Sequence, residues 1–233
     1  MTKGLVYYTD NTPDERIFKA CQKQLNRCME KWGFPIYSVS QKPMDFGINI
    51  VMDLERAVLS MFKQILRGLE ECKTDSIFLI EHDVLYDPSH FDFTPEREDH
   101  FYYNKNMWHV SSVDGKAVTY LHCDPSHLCA NRELLLRHYG KVVKEVETNG
   151  WHSRYGFSPP KGLPPQERIG HYTFYTSAVP NIDIRHENAF TRQRMTKDQF
   201  RSENSRRGWT EAGEVPGWGI TKDRFYEFLN EHS

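Results

Sequence analysis

Apolar positions follow two rhythms along this chain, and each change of rhythm falls at a polar or Pro/Gly-rich break. Gly4-Leu5-Val6-Tyr7-Tyr8 is a β-prone run stopped by Thr9-Asp10-Asn11-Thr12-Pro13. Ile17, Cys21, Leu25 and Cys28 then recur at helical spacing, with Asp14 and Glu15 suited to the positive end of that helix. Phe34 to Val39 predicts a second strand, and Ser40 to Gly47 a loop. A longer helix is predicted from Asp53 to Cys72, with Leu54, Val58, Met61, Ile65 and Leu69 as its apolar stripe. Ser76 to Ile80 is an unbroken apolar strand of the kind buried in a parallel sheet.

The order in this stretch is strand, helix, strand, helix, strand, which argues for an α/β fold: a mostly parallel sheet flanked by helices. Ligands of such sheets bind beyond the carboxyl ends of the strands. Three polar clusters fall there: Thr9 to Asn11, Ser40 to Asp45, and Glu81 to Asp83. The later pattern is looser. It predicts a strand at Ala117 to Leu121, a helix from Ala130 to Tyr139 ending near Gly140, and an irregular Pro-rich loop over 151–170. A strand at His171 to Val179 and a last helix at Lys222 to Asn230 complete it, with no internal repeat.

Length and composition narrow the class. The 233 residues can bury one sizeable core, so a single domain is the simplest expectation. With 38% hydrophobic and 27% charged residues, this is not the composition of a disordered chain. No apolar run approaches the roughly 20 residues that span a bilayer, and no signal-peptide pattern opens the chain. Five irregularly spaced cysteines read as reduced thiols, and a cytoplasmic location is expected. The net charge of -2 hides a local bias: from Arg185 to Gly208 seven basic residues face three acidic ones. That segment can meet a polyanion or be simply solvated.

The candidate chemistry centres on Glu81-His82-Asp83. Two close carboxylates repel unless a cation or proton intervenes, and hard divalent ions favour such oxygen-rich settings. Asp83 and Glu81 are therefore candidate metal ligands, with His186 a later one; His82, pointing the other way on an extended chain, is expected behind them. No phosphate loop, dinucleotide glycine motif or nucleophile elbow is present. His122, Cys123, His127 and Cys129 match no strong zinc spacing.

Ile77-Phe78-Leu79-Ile80-Glu81-His82-Asp83 at the end of a β-α-β-α-β half resembles the Asp-x-Asp region of the GT-A-fold nucleotide-diphospho-sugar glycosyltransferases, with Glu81 in place of the first aspartate. The resemblance implies a GT-A-like fold and a Mn²⁺ or Mg²⁺ ion held against a nucleotide-sugar donor such as a UDP-sugar. It implies a nucleotide-sugar-binding half over 1–115 and an acceptor-side half over 116–233. Tyr8, Thr9 and Asp10, with Asp45 and Asn49, would line the nucleotide pocket, and Ser126 to Leu134 is similar to the acceptor-side loop and helix. His186 resembles the late histidine that completes the metal site in some members. The Glu-Asp pair that usually follows the acceptor helix is absent, so the base falls to Glu167 first, then Asp124 and Glu133. The chain also looks like small bacteriophage-type glycosyltransferases, some relatives of which modify hydroxymethylated pyrimidines in DNA. Hydroxymethylated DNA is thus one compatible acceptor beside proteins, glycans and small molecules. The rival readings are a metal-dependent phosphohydrolase or nuclease and a non-catalytic nucleic-acid-binding module.

Overall fold

The first strand, β1 (Lys3–Thr9), alternates its side chains between two cores. Leu5 and Tyr7 face one apolar cluster, and Val6 and Tyr8 the other. The same alternation recurs on β4 (Ser76–Glu81), where Phe78 and Ile80 oppose Ile77 and Leu79. Each such side chain contributes about 1.5–3 kcal/mol of burial, so a one-residue slip in register would be heavily disfavoured. A computed structural model describes residues 1–191, 194–221 and 224–232.

Between these strands lie α1 (Glu15–Trp32), β2 (Ile36–Ser40), β3 (Ile48–Val51) and α2 (Val58–Glu71). Asp14 caps α1 by accepting from the backbone of Arg16, and Gly33 ends it in the left-handed region at φ 64°. β4, β1, β2 and β3 run side by side and parallel. α2 lies tightly on β1, because Gly68 presents only hydrogen there; a Cβ at that position would stand 2.4 Å from Val6 Cγ1.

After β4 a two-residue turn, His82-Asp83, leads to the short β5 (Val84–Leu85). Then come β6 (His100–Asn104), β7 (Met107–Ser111), β8 (Ala117–Thr119), β9 (Leu128–Asn131), α3 (Arg132–Asn149), β10 (His171–Tyr175) and β11 (Asn181–Arg185). β12 (Thr210–Ala212), β13 (Glu214–Val215), β14 (Ile220–Thr221) and α4 (Phe225–His232) follow. One sheet has the order β10-β6-β9-β4-β1-β2-β3, and a second the order β12-β8-β7-β11-β5. Helices flank both sheets, giving an α/β fold. α2 and α3 cover one face of the first sheet, while α1 lies between its other face and the second sheet, against α4. The chain passes from the first sheet to the second after β4, after β6 and after β10.

Several elements depart from the sequence reading. α3 runs on through Gly140 to Asn149, because Tyr139, Val142 and Val146 continue its buried face. A mid-helix glycine costs about 1 kcal/mol relative to alanine, less than that burial returns. Its start is set by Asn131, whose side chain accepts from the backbones of Glu133 and Leu134; Leu128 to Asn131 belong to a strand. α2 begins at Val58 rather than Asp53. The last helix starts at Phe225, and the predicted Lys222 and Asp223 lie outside the described residues. The loop over 151–170 has only two short 3-10 turns, at Ser153–Tyr155 and Pro165–Glu167. No helix among the described residues is long and apolar enough to cross a membrane, and all five cysteines are free thiols.

Candidate active site

β1, β2 and β4 end side by side, and their carboxyl ends form the floor of a cavity. Tyr8, Thr9 and Asp10 line it from β1, Gln41 from β2, and Glu81, His82 and Asp83 from β4. Met61 and Gln64 of α2 close one side. The rim is tied by side chains suited to the task. Asn11, at φ 59°, accepts from the backbones of Gln41 and Lys42, and buried Gln64 donates to the Thr9 carbonyl at 2.7 Å. Asp10 accepts from Arg56 Nε at 2.5 Å, and Arg56 donates on to the Asn188 carbonyl. Burial raises Asp10, but His82, Thr12 and Arg56 outweigh it and hold this carboxyl below its ordinary value.

Strand alternation stops at Glu81. The turn that follows swings His82 and Asp83 together, and β11 supplies a third residue. β11 pairs antiparallel with β5 (Ile182 with Leu85, Asp183 with Val84), and Ile184 donates its N–H to the Asp83 carbonyl. That register delivers His186 to the turn. Ligand atoms of His82, Asp83 and His186 all lie within 4.8 Å of one another. Asp83 Oδ2 is 3.4 Å from His186 Nε2 and 4.0 Å from His82 Nε2.

The donor chemistry of this cluster suits a cation. Asp83 Oδ1 and both ring nitrogens of His186 are buried without a hydrogen-bond partner, which is costly for polar groups unless another ligand engages them. His82 Nδ1 is 2.7 Å from Thr9 Oγ1, leaving Nε2 for the cluster. Burial lowers the His82 pKa despite Asp83 and Asp10 beside it, favouring the neutral ring that binds metals.

Glu81 stands apart from the three. Its Oε1 accepts from the Tyr8 hydroxyl, and burial followed by the charge of Asp83 pushes its pKa well above the ordinary carboxyl value. The Tyr8 hydrogen bond acts the other way but is outweighed, so the shift favours the neutral carboxyl.

Around Asp183 a second buried network adjoins the cluster. Arg185 donates to both carboxylate oxygens, at 3.1 and 3.0 Å, and His109 Nδ1 lies 3.2 Å away. Burial raises Asp183, yet Arg185 and His109 carry it far below the usual range. Asp124 lies where the first cavity meets a larger one of about 750 Å³; Phe157, Arg185, Phe190 and Thr191 also line both. Asp124 Oδ2 is 2.5 Å from His122 Nε2, while His122 Nδ1 is 3.0 Å from the Tyr120 carbonyl. Carbonyl and carboxylate can only accept, so this geometry describes a doubly protonated imidazolium. Burial opposes both charges, but the pairing raises His122 and brings Asp124 down to about 2.

The remaining residues singled out from the sequence are placed elsewhere. Glu167 is exposed at the end of its 3-10 turn and lines neither cavity. Glu133 is exposed in the first turn of α3, paired with Arg132 at 2.6 Å. Asp45 is exposed on the loop before β3. Asn49 spends its amide on Ser38, Ser40 and Met44, pinning that loop. Arg56 had no sequence signal of its own and is brought in by tertiary contacts; of the three expected bases only Asp124 lines a cavity, paired with His122 two residues before it.

No family model matches the chain, and no curated protein matches it. Among solved structures it is similar to one described as a glycosyltransferase involved in the glycosylation of the major capsid of PBCV-1. The two share 10% identity, with a TM-score of 0.44, over 76% of this chain and 82% of the other.

Proposed function

We propose that this chain is a metal-dependent glycosyltransferase that moves a sugar from a nucleotide-sugar donor to an acceptor hydroxyl. The observation that carries this reading is the His82, Asp83 and His186 cluster, set at the carboxyl ends of parallel strands beside a cavity. Two imidazoles and one carboxylate suit Mn²⁺ better than Mg²⁺, which prefers oxygen alone. Once bound there, such an ion supplies positive charge to the donor's diphosphate. Arg56 and Arg185 line the same cavity, paired there with Asp10 and Asp183. Tyr8, Thr9 and Asp10 would meet the nucleotide, with residues 1–115 carrying the donor pocket and 116–233 the acceptor side.

In the transfer, the acceptor oxygen bonds to the anomeric carbon. The bond from that carbon to the diphosphate oxygen breaks, and its electron pair leaves with the diphosphate. The acceptor proton goes to Asp124, the carboxylate at the junction of the two cavities. A carboxylate near pKa 2 is a weak base alone, so the pair can take the acceptor proton only once the His122 imidazolium has lost its own proton to solvent, after which His122 Nε2 takes the new one from Asp124.

The same donor set also suits a hydrolase that uses a metal-bound water. The deciding experiment is a thermal-shift screen of nucleotide sugars with and without Mn²⁺, followed by product analysis. A Mn²⁺-dependent shift with one nucleotide class, and sugar consumed only when an acceptor is added, supports transfer. Equal donor consumption without any acceptor selects the hydrolase.

A further inference from the structure

The larger cavity has a chemistry of its own. Four cations line it, Lys161, Arg185, Arg194 and Arg207, against one carboxylate, Asp124. Arg185 is committed to Asp183, and Asp124 is paired with His122. Among the described residues, Lys161, Arg194 and Arg207 have no carboxylate within ion-pair reach, whereas Arg206 nearby is paired with Glu203. The basic segment seen in the sequence is thus divided, and part of it turns into the cavity; Arg192 lies outside the described residues.

Flat rings make up much of the remaining wall. Tyr120 stacks on Trp209 at 5.8 Å and 12°, and on His109 at 4.8 Å and 26°. Phe157 and Phe174 line the cavity beside Tyr172 and Phe190, which are 51% and 42% exposed. Arg194 lies over the Phe200 ring at 5.6 Å and Arg56 over Phe190 at 5.2 Å; aromatic rings beside cations without a carboxylate partner form a surface that stacks a ring and neutralises an anion together. The backbone fixes the arrangement: Leu121 donates to the Arg207 carbonyl at 2.8 Å, and β12 pairs with β8 just beyond.

We infer that the second cavity holds an acceptor made of a ring bearing a phosphate group, with its reacting hydroxyl turned toward Asp124. This deepens the proposed transferase and rests on it only for the word acceptor; the recognition chemistry stands on the cavity itself. A phosphorylated sugar and a nucleotide share that chemistry. About 750 Å³ is room for one such unit.

Fluorescence titration tests it, since Trp209 stacks on a residue of the cavity wall. The full chain, with Mn²⁺ present, is titrated with glucose 6-phosphate, thymidine 5′-monophosphate, glucose, thymidine and inorganic phosphate. The expected result is binding of at least one phosphorylated ring at least tenfold tighter than its unphosphorylated form and tighter than inorganic phosphate. Which one binds better identifies a sugar or nucleotide source. Arg194→Gln with Arg207→Gln, and separately Lys161→Gln from another segment, should each reduce that preference severalfold while Mn²⁺ affinity is unchanged. Equal binding of phosphorylated and plain rings, inorganic phosphate binding as tightly as either ring, or a preference untouched in every variant overturns the inference. A Mn²⁺ titration of the wild type separates the two readings. If no Mn²⁺ binds to the wild type while the phosphate preference persists, the transferase proposal fails and the cavity assignment survives.

Discussion

Asp83 Oδ2 and His186 Nε2 meet at 3.4 Å, although one belongs to the turn after β4 and the other follows β11, much later in the chain. Neither ring nitrogen of His186 finds a hydrogen bond. Asp83→Ala and His186→Ala should each weaken Mn²⁺ binding by more than about tenfold, on the scale seen when metal-site residues are removed. Isothermal titration calorimetry measures this, and circular dichroism should show an unchanged fold. Wild-type Mn²⁺ affinity in both variants would remove the cluster as a metal site.

The proton's destination is tested by comparing three carboxylates. Asp124→Asn should lower the transfer rate by roughly 10²- to 10⁴-fold, the range of general base catalysis. Glu167→Gln and Glu133→Gln should stay within about twofold of wild type, since a group remote from the acceptor cannot supply that range of general base catalysis. Steady-state kinetics with matched donor and acceptor decides the order, and a large loss in Glu167→Gln alone would return the base to the Pro-rich loop.

The His122–Asp124 pair also makes stability depend on pH in a defined window. His122 is raised from 6.5, so its contribution is complete below that value and fades as pH rises through the folded-state pKa. Asp124 is lowered from 3.8 to about 2, so its contribution is complete above 3.8 and fades as pH falls through about 2. The difference in Tm between wild type and His122→Asn should therefore be largest from pH 4 to 6.5 and shrink on either side. A pH-independent difference in calorimetric scans would contradict the ion pair.

Packing between α2 and β1 gives a prediction independent of function. Gly68→Val should destabilise the protein by about 1–3 kcal/mol or more, because even the first added carbon meets Val6. Chemical denaturation reads this directly. The double variant Gly68→Ala with Val6→Ala should recover part of what Gly68→Ala alone loses.

The sequence revealed most where one element's pattern decides its environment. The unbroken apolar runs Leu5 to Tyr8 and Ile77 to Ile80 marked buried strands, and the polar residues just past them marked the cavity floor. It revealed least where the second sheet is concerned. Met107 to Ser111 and Asn181 to Arg185 are short and interrupted by polar or charged residues, and non-local pairing makes them strands. His82 was expected to point away because an extended chain alternates. The tight turn after Glu81 breaks that alternation, so His82 joins Asp83, and Glu81 stays with Tyr8. Nothing local marks His122 as the partner of Asp124, since a histidine two residues from an aspartate is as easily a surface pair.

The two-residue β5 has a mechanical consequence. It is the edge of the second sheet and holds only β11, through Leu85 with Ile182 and Val84 with Asp183. An ion gripped by Asp83 and His186 would rivet that edge from both sides of the pairing. Adding Mn²⁺ should then slow amide hydrogen exchange along β5 and β11 while leaving β2 and β3 unchanged, so the ion proposed for catalysis would also fasten the edge of the second sheet.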